Sequence, residues 1–116
     1  MKYLVILNEG PYGTERSYSG LRLAGSLAKK DDVAVALFLM GDSAACAVTG
    51  QKTPDGYYNV ERMMKPLVAK GAKIGVCGTC MDARGIQVEA LVSGAKRSSM
   101  DELTAWTQEA DKVIVF

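Results

Sequence analysis

Histidine is absent from this 116-residue chain. Its absence removes Cys-His and Ser-His-Asp catalysis and every zinc site that needs an imidazole. No apolar run approaches the ~20 residues that span a bilayer. The opening stretch Met1-Lys2-Tyr3-Leu4-Val5-Ile6-Leu7-Asn8 also turns polar too soon for a secretory signal. A cytoplasmic location is expected, with no membrane association. An excess of charge is missing too: the formal net charge is +1, so no global field draws in nucleic acid. Basic residues are scattered, apart from small pairs such as Lys96-Arg97. The glycine-bearing loop Glu9-Gly10-Pro11-Tyr12-Gly13-Thr14-Glu15 fits neither G-x-G-x-x-G nor G-x-x-x-x-G-K-[ST], so nucleotide binding lacks support. Repeats and linkers are absent, and no cofactor is expected.

What remains is an ordinary globular balance, 48% apolar and 23% charged. A chain of this length reads as one domain over residues 1–116, able to bury roughly two-thirds of its unfolded surface. Solid apolar runs at Lys2 to Leu7, Val33 to Met40, Ala72 to Cys77 and Lys112 to Phe116 predict strands covered on both faces, with a brief further strand at Ala95 to Arg97. Helical periodicity runs from Arg16 to Lys29, and Ser43 to Val48 is a short helix candidate. Asn59 is the expected N-cap of a helix carrying Val60, Met63, Met64, Leu67 and Val68, closed by Gly71, with a kink or shortening at Pro66. Ser99-Met100-Asp101-Glu102 has the form of a capping box and opens a helix through Leu103, Trp106 and Ala110. Thr49 to Gly56 is the one long loop. Strands alternating with helices predict an α/β fold: a five-stranded, mostly parallel sheet with helices on both faces. Ligands gather at the carboxyl ends of such strands, where Asn8 to Glu15, Gly41-Asp42 and Cys77 to Cys80 should meet. Strand order is not legible.

Chemistry concentrates in Val76-Cys77-Gly78-Thr79-Cys80-Met81-Asp82-Ala83-Arg84-Gly85. A strand ending at a thiol, then turning into a helix start, favours thiolate over thiol. In a reducing compartment the CxxC reads as catalytic or metal-binding before it reads as a structural disulfide. Four readings stay open from spacing alone. Cys77 carries sulfane sulfur as a persulfide; Cys77 and Cys80 cycle through a disulfide; the pair binds metal; or both thiols fill space. Metal is weak, because Cys46 is the one further thiol. Around the pair, Arg84 either holds an anion or pairs with Asp82 or Glu89, and the pairing is favoured. Gly85 suits a positive φ. The loop with Tyr12 and Gly13 reads either as a tight βα turn or as a loop shaped for a site; Thr14 is a candidate N-cap, and in the second reading Tyr12 shields a thiol from water. Cys46, among small residues, reads as a buried helix thiol. Tyr57-Tyr58 either face an interface or anchor the long loop.

Five segments, in order and spanning essentially the whole chain, resemble the DsrE/DsrF/TusD-like sulfur-relay family, and its small YchN-like branch above all. They are Gly10 to Glu15, Leu37-Phe38-Leu39-Met40-Gly41-Asp42, Gly50-Gln51-Lys52, Cys77 to Ile86, and Ala105-Trp106-Thr107 through Ala110-Asp111-Lys112-Val113. The resemblance implies a three-layer α/β/α sandwich that assembles into a homo-oligomer, a hexamer or trimer. It also implies a cysteine that carries sulfur as a persulfide among other sulfur-relay proteins. That cysteine maps onto Cys77. Cys80 departs from the TusD-like pattern and belongs to the YchN-like one, so relay and reductase chemistry both stay open. Tyr12, Gly13, Thr14 and Arg84 are the expected site-shaping residues, and no metal is expected.

Overall fold

Each solid apolar run becomes a strand. Lys2–Leu7 (β1), Ala34–Leu39 (β2), Lys73–Cys77 (β3), Ala95–Ser98 (β4) and Lys112–Val115 (β5) form one sheet in the computed structural model, which describes residues 1–116. The order is β4-β3-β2-β1-β5, and every neighbouring pair runs parallel, so the sheet is wholly rather than mostly parallel. The helices are Arg16–Ala28 (α1), Val60–Ala69 (α2), Gly78–Ala83 (α3) and Met100–Glu109 (α4).

The runs are solid because the central strands are buried on both faces. On β1, Val5 and Leu7 enter one core cluster while Leu4 enters the other. The larger cluster, of 18 buried residues, lies between the sheet and α1, α2 and the 3-10 segment Gly41–Ala47. The smaller one is Leu4, Phe38 and Leu103, beneath α4. A three-layer α/β/α sandwich results. On the α4 side Trp106 lies over β3 because Gly75 has no side chain. A Cβ there would fall 3.0 Å from the Trp106 ring and 3.1 Å from Phe38.

The expected caps form. Asn59 Oδ1 accepts from the Arg62 N–H at 3.0 Å, and Ser99 Oγ accepts from the Glu102 N–H at 3.2 Å. Glu102 does not complete the box; its carboxylate accepts from the Ser98 hydroxyl instead. Three further expectations need correction. Pro66 does not shorten helix α2, which runs on to Ala69, because Val60, Met64 and Leu67 are buried along one stripe, and that burial outweighs one lost hydrogen bond. The Ser43 to Val48 helix is a 3-10 segment instead, beginning at Gly41. Thr14 is not the N-cap: α1 starts at Arg16, and the Thr14 hydroxyl only accepts from the Arg16 N–H at 3.4 Å.

Candidate functional site

Parallel strands deliver their carboxyl ends to one edge of the sheet, and the CxxC lies there. Cys77 is the last residue of β3, and Cys80 lies in the first turn of α3. The two thiols face different layers. Cys77 packs against the smaller, α4-side cluster, and Cys80 against the larger one. Both are free and partly buried.

Their electrostatics diverge. Burial pushes the Cys77 thiol up, but hydrogen bonds from the side chains of Cys80 and Thr79 and from their backbone N–H groups together outweigh it. The Cys77 thiol therefore lies below its ordinary value of 9.0. Thr79 Oγ1 stands 3.4 Å from Cys77 Sγ. Cys80 moves the other way, raised first by burial and then by the hydrogen bond it spends on Cys77. The Gly41 N–H, at 3.2 Å, donates to Cys80 Sγ and offsets part of that rise. Of the pair, Cys77 is the better thiolate.

Arg84 joins two loops at this edge, and its partner is not one of those expected. Its Nε and Nη2 donate to Asp42 Oδ1 at 3.0 and 2.6 Å, and its Nη1 donates to the Cys80 carbonyl at 3.0 Å. Glu89 plays no part. Asp82 pairs instead with Arg97, whose Nη1 and Nη2 reach both carboxylate oxygens at 2.7 and 2.9 Å. Gly85 has the expected positive φ, 65°.

Tyr12 lies in a different setting from the one expected. Its hydroxyl donates to Gln51 Oε1 and accepts from the Val60 N–H at 3.2 Å, and its ring packs against Tyr57 and Tyr58. These contacts hold it at φ 70°, a strained value for a side chain of this size. Gln51 ties the long loop down. Its Nε2 donates to the carbonyls of Cys46 and Val48 at 3.0 and 2.9 Å, and its N–H donates to Glu61 at 2.9 Å. Gly13 and Thr14 line a cavity of about 680 Å³ with Glu9, Asp42, Gln51 and Arg84. Neither cysteine reaches that cavity. Cys77 instead lines a second one, of about 330 Å³, with Phe38, Met40, Arg97, Ser98 and Met100. The structure thus gathers Arg84 and Asp42 about Cys80; Gly13 and Thr14 line a cavity that Cys77 does not, and Tyr12 lines neither.

Cys46 is fully buried, its Sγ donating to the Glu9 carbonyl at 3.7 Å. Burial pushes its thiol up to about 11. The unfolded chain therefore loses this proton first as pH rises. The stabilisation is intact below pH 9 and is lost as pH climbs through 11, by at most about 2–3 kcal/mol. Urea titrations of the wild type and Cys46→Ala across that range should converge, the difference shrinking towards pH 11. A constant difference would show that Cys46 does not titrate on unfolding.

No group of three or more His, Cys, Asp or Glu side chains is arranged to hold a metal ion. No helix is long and apolar enough to cross a membrane.

The model of the DsrE/DsrF-like family matches residues 1–116. The chain belongs to that family. It is 37% identical to Protein YchN of Escherichia coli K12 over 116 residues, 99% of this chain and 98% of that protein. It is also 37% identical to Methanocaldococcus jannaschii MJ0989, with both chains fully covered. The crystal structure of E. coli YchN superposes with a TM-score of 0.91 over all of both chains, which fits the YchN-like branch. Methanobacterium thermoautotrophicum MTH1491, only 12% identical, shares the fold with a TM-score of 0.77, covering 99% of this chain and 98% of that one. Within this DsrE-like frame the sequence overlooked Arg97. It read as half of a small basic pair, and only the pairing of β3 with β4 sets it beside Cys77.

Proposed function

We propose that this protein is a sulfur carrier in which Cys77 accepts a sulfane sulfur as a persulfide and passes it to a partner. The observation that carries the reading is the contrast between the two thiols. Cys77 ends a strand beside a cavity, with its thiol below the ordinary range; Cys80 is held above it. In the loading step the Cys77 thiolate attacks the outer sulfur of a donor R–S–SH. The donor S–S bond breaks, its electron pair leaves on R–S⁻, and the product is Cys77–S–SH. Oxidation state is conserved across the pair, so no external oxidant is needed.

Cys80 gives the persulfide a second fate. Its thiolate can attack the Cys77 sulfur, expel HS⁻ and close a Cys77–Cys80 disulfide, which a thiol reductant must reopen. The position of both free thiols at the β3–α3 junction, three residues apart, supports this dithiol–disulfide reading as the alternative. Relay partners of the same chemistry, a cytoplasmic setting and a hexameric or trimeric homo-oligomer belong to the proposal. Val113 and Val115, 41% and 61% exposed on the edge strand β5, support assembly through apolar contact.

The experiment is sulfur loading of Cys80→Ser with inorganic polysulfide, followed by intact mass. Removing the resolving thiol should leave one added sulfur in place. A Cys80→Ser protein that gains none under conditions where small thiols are persulfidated would overturn the carrier reading.

A further inference from the structure

Arg97 spends only part of its donor capacity. Its Nη1 donates to the Gly78 carbonyl at 3.0 Å and to Asp82 Oδ1, and its Nη2 donates once, to Asp82 Oδ2. A guanidinium carries five N–H groups in a planar fork. The Nε–H and the second Nη2–H, which share one edge of that fork, have no acceptor in the structure. The three bonds already made fix the orientation of this edge. Gly78 fixes the plane: a Cβ there would lie 2.8 Å from Arg97 Cζ and 2.9 Å from both Nε and Nη2. Such near-equal distances mean that the face of the guanidinium, not its edge, rests on the glycine. The open edge therefore belongs to a group held in place before any ligand arrives.

Its surroundings narrow what that ligand is. Arg97 and Cys77 line the same cavity of about 330 Å³, with Phe38, Met40 and Met100 as apolar wall. A paired N–H edge matches two oxygens of one carboxylate or sulfonate. The apolar wall and the volume suit a carbon body rather than a bare inorganic anion. Resting on the reading of Cys77 as sulfur acceptor, we propose that Arg97 is the binding residue for a small organic persulfide that carries a carboxylate or sulfonate. It would grip the oxyanion with the Nε–Nη2 edge while the donor's outer sulfur meets Cys77. A protein donor, the other kind of occupant, needs no oxyanion at this point.

Matched donors test this. Persulfides of mercaptoethanol, mercaptopropionate and mercaptoethanesulfonate differ in having a neutral, carboxylate or sulfonate end. Their uptake rates are measured on the Cys80→Ser protein, where the product accumulates. Because each rate is divided by that of the neutral donor, changes in Cys77 reactivity cancel. The oxyanion donors should be faster by about fivefold to tenfold, a value discounted for the partial exposure of Arg97. Arg97→Gln should bring the ratio near one, and Arg97→Lys, which keeps the charge without the fork, should fall between. Gly78→Ala, which retains Arg97 but forces the guanidinium aside, should also lower it.

Equal rates for all three donors in the parent protein, the signature of a protein donor, would overturn the proposal. So would an oxyanion preference that survives Arg97→Gln. Thiosulfate matching the organic oxyanion donors would remove the carbon body from it. If only the carboxylate or only the sulfonate donor gains, that source is selected and the grip stands. No uptake from any donor, the neutral one included, would instead strike down the Cys77 reading, and this inference with it.

Discussion

Cys77→Ser should take up no sulfur from polysulfide, while Cys80→Ser keeps the sulfur it gains. The serine hydroxyl does not ionise near neutral pH and has no sulfur to extend, so the variant loses both the nucleophile and the acceptor atom. Cys80 cannot replace it. Its thiol is raised above 9.0, by burial first, and that burial persists in the variant. Cys46 cannot either, fully buried and raised to about 11. The same ordering should appear in alkylation against pH. Cys77 reacts first, with a midpoint below 9.0, then Cys80, and Cys46 only as the fold opens. Because Cys77 is partly exposed and serine is close to its size, stability should change by no more than about 0.5 kcal/mol. Lost uptake is then lost chemistry rather than lost fold. Intact mass decides it: a Cys77→Ser protein that gains sulfur as the wild type does would move the site elsewhere.

The parts of this molecule legible in its sequence are those governed by local rules. Strands buried on both faces cannot alternate, so Lys2 to Leu7 and Val33 to Met40 announce themselves as solid runs. Caps are local too: Asn59 and Ser99 bond backbone groups three residues on, as their spacing implied. Thr14 misled because the Gly-Pro loop before α1 makes its turn one residue later, with Tyr12 held at φ 70° by Gln51 and Val60. Gln51 lies 39 residues away in sequence, and nothing local points to it.

The candidate site divides along the same line. The CxxC and its place at a strand end were readable. The ion pairs were not, because both cross between elements. Arg84 was expected to pair with Asp82 or Glu89, its neighbours in sequence; it reaches Asp42, in the 3-10 segment that follows β2, because β2 and β3 are adjacent. Asp82 is thereby left to Arg97, which β4 brings alongside when Cys77 registers with Ser98. Sheet order decides which charge faces which thiol, and order is the one property a parallel sheet does not write into its strands.

The α4 layer makes the strongest case for a core substitution. Phe38→Ala should cost about 3–5 kcal/mol, a large share of the roughly 5–15 kcal/mol that holds a typical domain. Phe38 is 1% exposed and meets the Trp106 ring edge-on, centroids 5.9 Å apart at 84°. Its cluster has only 3 buried members, against 18 on the other face, so little remains to hold α4 once the ring is gone. Urea denaturation should show a lower midpoint with an unchanged slope. Phe38→Leu, which keeps most of the volume, should cost less than half as much. A loss below about 1 kcal/mol for the alanine variant would mean that Trp106 collapses into the gap over Gly75. The functional consequence follows from position. Phe38 also walls the cavity beside Cys77. Loosening α4 should therefore raise the alkylation rate of Cys77 even where the protein stays folded, since the same ring that anchors the helix limits access to the thiol.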